Sequence, residues 1–310
     1  MAPVARVDAT GADPCAGRVR LDPFKAAWNG GMIGASLLAP FFVSVSAVLL
    51  FAVLTYATLL LGHSVGMHRM MIHRTFRAGP GLRRGLILLG VIVGMGGPSR
   101  IIRVHDMRDW AQRQPDCHDF FSHRRGFIRD VAWQLFCRFD FERAPAVHVE
   151  SEIADDPVMA WLDRGWWAVQ LALAAGLFAV GGLAWVMWGV CLRVAVSTVG
   201  HWSVTYLCHN PGPGRWHVRG AGVQASDLPG WAWVTGVLTH GECWHSNHHA
   251  FPESARVGLE RGQVDPAAAV IEAMERRGWV WDVGVPRHAA AREDLVRRAQ
   301  PGALAPVPSP

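Results

Sequence analysis

The chain is nearly without lysine: Lys25 is the only one, so the other basic residues among the 30 are arginines. That bias fits a GC-rich bacterial genome better than it fits any chemistry. Tyrosine is down to two residues, and charged residues make up only 18% of the chain. The six cysteines (Cys15, Cys117, Cys137, Cys191, Cys208, Cys243) contain no C-x-x-C pair. A disulfide framework and a zinc knuckle are thereby excluded, and a reducing compartment is expected. The first 25 residues lack a basic start leading into an apolar run, so no secretory leader is expected. The arginines form no single basic face or tail. They crowd the region from Arg69 to Arg138 and the segment after Arg215, between and beyond the apolar stretches, and no nucleic-acid partner is expected.

What the chain has in quantity is apolar surface, with 51% hydrophobic residues and 15 tryptophans. Phe41–Gly62 carries no charge and has about the 20 residues that a bilayer helix needs. Trp28–Ala39 precedes it and is short for a span. A second block, Trp166–Val199, holds one charge, Arg193, and Gly181-Gly182 near its middle predicts a turn between two packed helices. Trp166, Trp167, Trp185, Trp188 and Trp202 are placed to form an aromatic belt at the head groups. Gly85–Gly97, apolar but below spanning length, predicts a helix in the interface.

The expected fold is therefore an all-α membrane protein of about four transmembrane helices, with a cytosolic helical cap. A polar N-terminal segment covers residues 1–25. The membrane domain covers 26–286, its apolar spans at about 28–62 and 166–201 and its cap at 63–163 and 202–286. A C-terminal tail, 287–310, ends in a Pro-rich run and is expected to be disordered.

Fifteen histidines are present. Those in Gly241-Glu242-Cys243-Trp244-His245-Ser246-Asn247-His248-His249-Ala250-Phe251-Pro252 lie at i, i+3 and i+4, on one side of a helix. Three neutral imidazoles converging there point to a metal. His63, His68 and His73 follow the first span, and His105, His118 and His123 occupy the middle loop. His201 ends the second block, while His148, His209, His217 and His288 lie outside these groups. His68 and His73 are five apart, about 140° around an α-helix, a poor spacing for one shared ion. A nitrogen-rich set open to substrate suits iron or copper redox chemistry better than structural zinc.

At these motifs the chain resembles the membrane fatty acid desaturases, specifically the acyl-CoA/Δ9-type branch. The segment from Gly241 to Pro252 is similar to the family's third histidine box. Gly66-Met67-His68-Arg69-Met70-Met71-Ile72-His73-Arg74-Thr75-Phe76 resembles its first, and Val196–His201 resembles the segment that supplies one further ligand, at His201. Gly278–Asp282 is similar to the family's close. The second box departs: Arg103-Val104-His105-Asp106-Met107-Arg108-Asp109 keeps His105 but has Arg108 and Asp109 where the family has histidines.

The resemblance implies a non-haem diiron centre, two iron ions held by His68, His73, His105, His118, His123, His201, His245, His248 and His249, with His118 and His123 replacing the lost second-box ligands. Asp106, Asp109, Asp119, Glu242 and Ser197 are then expected around the ligands, and Arg69 and Arg74 at the substrate head group. It implies O2-dependent removal of two hydrogens from a saturated acyl chain, carried by CoA or a lipid. Ferredoxin, or cytochrome b5 with its reductase, would supply the electrons. No His-Pro-Gly-Gly motif is present, so no fused cytochrome b5 domain is expected. The expected location is the bacterial inner membrane, among membrane lipid, with the histidines on the cytoplasmic side. Lipid or hydrocarbon hydroxylation at the same centre is the alternative activity, and a catalytically inactive lipid-binding relative is the non-enzyme alternative.

Overall fold

In the computed structural model, residues 6–228, 230–286 and 292–298 are described. The first long helix is prepared by two polar caps. Asp22 accepts the amide of Lys25 at the start of α1 (Pro23–Ser36), and Ser44 accepts the amide of Ala47 at the start of α2 (Val45–Ile72). These side chains satisfy N–H groups that a helix start leaves unpaired. Helix α2 is 28 residues long and strongly apolar at its start, where Val45, Leu49 and Val53 face outward. Its end is buried against α3 (Pro80–Ile92). Glycine permits that crossing: a Cβ on Gly62 would stand 2.3 Å from the Gly90 amide nitrogen, and one on Gly66 2.8 Å from the Leu86 carbonyl. Gly62 and Gly66 thus act as a small-xxx-small pair that lets two backbones touch.

Helix α4 (Pro98–Arg113) and α5 (Phe127–Phe136) lie between the two apolar regions in sequence. The helical run α6 (Pro157–Cys208) is the second one long and apolar enough to cross a bilayer. It is not straight. Gly182 has φ 63° and ψ −159°, a conformation open to glycine and costly for other residues. The chain folds back there, since a Cβ on Gly189 would lie 2.7 Å from the Leu177 side chain. This is the turn predicted at Gly181-Gly182.

Arg193, the one charge in this block, is wholly buried. It donates to the carbonyls of Gly189 and Ile92 and to Gln170 Oε1, while Gln170 Nε2 donates to Val91 and Ile92. The two side chains thus take up carbonyls that the end of α3 leaves open. The aromatic belt is corrected in part. Trp166 is buried edge-on against Trp28 and Phe24, and Trp202 is buried with its indole N–H on Asp130.

The remaining helices are α7 (Ala232–Leu238), α8 (His245–Ala250) and α9 (Pro266–Glu275). Four small antiparallel ribbons tie the polar segments together: Val7–Asp8 with Ala146–Val147, Gly17–Leu21 with Cys137–Phe141, Arg77–Ala78 with Val280–Trp281, and Trp216–Val218 with Leu295–Arg297. The last corrects the expectation of a disordered tail over 287–310. Leu295–Arg297 finds a strand partner, and Arg292 donates to the Ala250 carbonyl at the end of α8. His288 and residues 299–310 of that tail lie outside the described residues.

Candidate metal centre

The histidines of α2 are brought together by an unusual winding. From Thr58 to Ile72 the helix is π-wound, and at its end the His73 amide donates to the carbonyl of His68, five residues back. In an α-helix the two rings would diverge, but i→i+5 bonding makes residues five apart neighbours. The ring centroids of His68 and His73 are 4.8 Å apart. The two imidazoles therefore enter one group despite a spacing that makes this difficult on an α-helix, and the reason is local backbone geometry.

His105 arrives from α4 and His248 from α8, and together with His68 and His73 they form a group whose ligating atoms all lie within 4.8 Å of one another. His209, His245 and His249 form a second such group. Helix α8 straddles both. Its His248 turns to the first group, while His245 and His249 turn to the second and bring their Nε2 atoms to 3.1 Å of each other.

Acceptors around the rings decide which nitrogen is free. Glu242 stands 2.8 Å from Nδ1 of His68, Asp106 3.2 Å from Nδ1 of His105, and Asp109 3.8 Å from Nδ1 of His249. The Thr205 carbonyl lies 2.7 Å from Nδ1 of His209. The contacts of Glu242, Asp106 and the Thr205 carbonyl favour a proton on Nδ1 and leave Nε2 as the ligating atom, the usual outer arrangement of a metal site, while Asp109 stands beyond hydrogen-bond reach of His249. Nε2 of His73 and of His209 are buried without any hydrogen-bond partner. Buried polar atoms left so are uncommon, and two of them, each inside a histidine group, fit a metal.

The carboxylates are themselves held. Arg69, 1% exposed, lies between Glu242 and Asp265, with Nη2 at 3.3 Å and 2.9 Å from their oxygens, and its Nη1 donates to the Ala255 carbonyl. Ser64 also donates to Glu242. Arg69 is thus a buried brace behind His68, which corrects its expected place at a substrate head group. Arg74 is corrected likewise: it makes a surface pair with Glu150 at 2.9 Å. Asp109 is shared with Arg113 at 2.9 Å.

Three of the expected ligands stand in neither group. His118 lies against Phe139 and Trp133 and accepts the Phe120 amide, capping the one-turn helix Asp119–Ser122, at whose start Asp119 sits. His201 faces the adjoining cavity edge-on to His63, with ring centroids 4.8 Å apart. His209, just past the end of α6, takes the place expected for His201. His123 is intermediate. Its ring stacks 5.5 Å from His209, Asp130 holds its Nδ1 at 3.1 Å, and its Nε2 is buried and unpartnered. Ser197 is buried with an unpartnered hydroxyl beside the same cavity.

Sequence reasoning also missed Arg6. Its guanidinium caps the end of α2 by donating to the carbonyls of Met71 and Ile72, and it reaches Asp106 at 3.2 Å and Glu150 at 2.7 Å. No motif surrounds it. For His209 the only signal is its place just after the helical run that carries His201.

Both groups open on a cavity of about 730 Å³, within the range of small-molecule sites. Its apolar wall includes Phe51, Leu59, Val196, Leu228 and Leu238, so a hydrocarbon chain can lie beside the imidazoles. In the metal-free protein, burial among like neighbours keeps the imidazoles neutral. His245 is pushed down to about 3 and His240 to about 4, and His73, His209, His248 and His249 fall well below the ordinary value. Burial opposes ionisation of Glu242, but His68 and Arg69 outweigh it and hold its carboxyl well below the usual range.

These shifts have one sign for stability. Unfolded imidazoles take up protons as the pH falls below about 6.5, while the folded ones resist. The metal-free chain is therefore expected to keep this contribution above about pH 6.5 and to lose it as the pH falls toward the lower folded values. A melting temperature of chelator-treated protein that stays flat from about pH 8 to 4 would contradict this.

A family model described as fatty acid desaturase matches residues 44–283. Among curated proteins, an sn-1 stearoyl-lipid 9-desaturase of Anabaena variabilis is 30% identical over 226 residues, covering 72% of this chain and 78% of the relative. An sn-2 palmitoyl-lipid 9-desaturase of Nostoc sp. (strain 36) is 28% identical, covering 78% and 83%. An acyl-CoA 5-desaturase of Anemone leveillei is 28% identical, covering 88% and 82%. With the family's pattern running through every segment that carries the clustered histidines and on beyond α9, the chain belongs to the fatty acid desaturase family.

Proposed function

We propose that this protein desaturates a saturated fatty acyl chain, in lipid-linked or CoA-linked form, at a non-haem diiron centre. One iron would be held by His68, His73, His105 and His248, the other by His209, His245 and His249, with His123 turning its Nε2 to the second as a fourth ligand. The observation that carries the reading is the pair of histidine groups side by side on the wall of a mostly apolar cavity. The relatives' names favour acyl-lipid or acyl-CoA substrates. When bound, the metal pair supplies O2 activation, so that one O2, two electrons and two protons take two hydrogens from adjacent methylenes and leave two waters.

The chain's own residues do the rest. The apolar wall grips a substrate that has no functional group at the reacting carbons, and position then comes from cavity shape. Glu242 and Asp106 orient the imidazoles, while Arg69 and Arg6 hold those carboxylates in place. Electrons come from an external carrier of the ferredoxin or cytochrome b5 type.

The outward-facing apolar residues of α2 and α6, such as Leu49, Val53, Leu171 and Phe178, support seating in a bilayer. The reversal at Gly182 supports two spanning limbs in α6 beside the span of α2, with the shorter α1 as a fourth, tilted span, and the arginine-rich segments support a cytoplasmic side for the histidines. The test is product analysis after expression in a bacterial host. A loss of about two mass units in host acyl chains is expected, and a gain of about sixteen would instead assign hydroxylation.

A further inference from the structure

The segment from Leu228 to His240 carries no Asp, Glu, Lys or Arg, although it lies in the part of the chain expected to form the cytosolic cap. Helix α7 and the residue before it turn their largest apolar side chains outward. Trp231 is 83% exposed, Trp233 67% and Leu238 68%. Another side of the helix is pinned to the protein body, since Gly236 is buried where a Cβ would stand 2.4 Å from the Val264 carbonyl oxygen. The carboxylates on either side of the segment are engaged elsewhere. Asp227 accepts the Ser246 amide, and Glu242 faces His68. An outward face of tryptophan and leucine without charge suits the head-group layer of a bilayer and not water.

The same segment forms part of the cavity. Leu228, Leu238 and His240 line it, and the His240 ring stands edge-on to Tyr56 of α2, with centroids 4.7 Å apart. Tyr56, Leu207 near the end of α6 and Leu238 line the cavity and are nonetheless exposed, so they mark its mouth. Val53, one turn before Tyr56, belongs to the outward apolar face of α2, so the mouth is continuous with that face. Lys25 and Arg100, which also line the cavity, come from other elements and are engaged with the Cys137 carbonyl and Asp22.

Resting on the reading of this cavity as the acyl site, we propose that α7 is seated in the membrane surface and that the acyl chain enters sideways from the bilayer, between Tyr56, Leu207 and Leu238. The substrate is then a lipid-linked chain of the membrane itself, and its head group stays at the surface beside Trp231 and Trp233. A hydrocarbon chain that slides from lipid into an apolar mouth never crosses water, so its entry costs little. A CoA-linked chain would bring its phosphates to a rim that offers them no cation.

The seating is tested with the metal-loaded full chain in vesicles of phosphatidylcholine brominated on its acyl chains, which quench nearby tryptophan emission. The quenched share is expected to fall in W231F/W233F and to hold in W279F, since Trp279 is exposed beside Arg277. An unchanged share in W231F/W233F would overturn the seating of α7. Entry is tested by conversion of stearoyl chains offered as vesicle phosphatidylcholine or as stearoyl-CoA from water, with reduced ferredoxin as donor. The lipid-linked chain is expected to be preferred by about tenfold or more, and L238R is expected to remove most of that preference with iron content unchanged. Equal or better use of stearoyl-CoA, or a lipid preference untouched in L238R, would overturn the sideways entry and leave the acyl cavity standing. Conversion of neither substrate would overturn the entry and the acyl reading together. The wild-type ratio decides the matter even should L238R fail to fold.

Discussion

Exchange of His248 for alanine is expected to empty the four-histidine group and to lower acyl oxidation by more than about a hundredfold, since even outer partners of a ligand cost ten- to a hundredfold. His248 is the member that binds this group to the other. Its ring centroid is 4.6 Å from His68 and 4.4 Å from His73, and its helix also carries His245 and His249. Removing it leaves three imidazoles on one side of the site and an opening where a buried ring stood. The check is iron per chain by elemental analysis alongside product formation. H118A is the control, because His118 packs on Trp133 and Phe139 and belongs to neither group. Full iron in H248A, or loss of iron in H118A, would contradict the assignment. H123A is expected to weaken metal retention without abolishing it, because one orphaned Nε2 is lost from the edge of the three-histidine group.

The largest loss of stability is expected from Arg69→Met. The guanidinium is enclosed by Glu242 and Asp265, and its nitrogens also take the carbonyls of Ala255 and His240. Methionine leaves two buried carboxylates facing each other, and breaking a buried pair from one side costs about 3–5 kcal/mol. Asp265 does more than pair with Arg69, since it also accepts the amides of Val257, Gly258 and Ala268. Neutralising it as D265N in the R69M background is therefore expected to recover only part of the loss. Arg69→Lys should be nearly as damaging, because an ammonium cannot serve both carboxylates and two carbonyls from one planar fork. Thermal unfolding of the detergent-purified protein measures this, and a change of less than about 1 kcal/mol in R69M would show the brace to be dispensable. A secondary effect is expected at the metal: with Glu242 released, His68 loses the acceptor at its Nδ1.

The parts of the site legible in the sequence are those carried by one short segment. His245, His248 and His249 share a face because three and four residues bring side chains together on any α-helix. The hairpin at Gly182 was legible for a similar reason, since paired glycines interrupting an apolar run have few other uses. Glu242 lies within the same motif, and its contact with His68 fits the carboxylate role expected of it. Asp106, adjacent in sequence to His105, likewise faces that ring.

Where two segments must agree, the sequence was silent or misleading. His68 and His73 diverge on an α-helix and converge on the π-wound end of α2, and no residue pattern announces that winding. Arg69 was expected at a substrate head group, yet Asp265, far along the chain, makes its burial possible. His201 lies within α6 and His209 just past its end, where the His209 ring meets His245 and His249 of α8. The altered second box is the clearest case. Counting histidines made His118 and His123 equal candidates, but the fold turns one into a helix cap and leaves the other with a free nitrogen beside His209.

By itself, then, the sequence determined the family, the apolar segments and a set of histidines able to hold a metal, because each depends on residue type at short spacing. The division of seven histidines into groups of four and three and the braces behind them were decided only by the tertiary structure. Those features depend on which distant side chains burial forces together, and short-range periodicity carries no record of that.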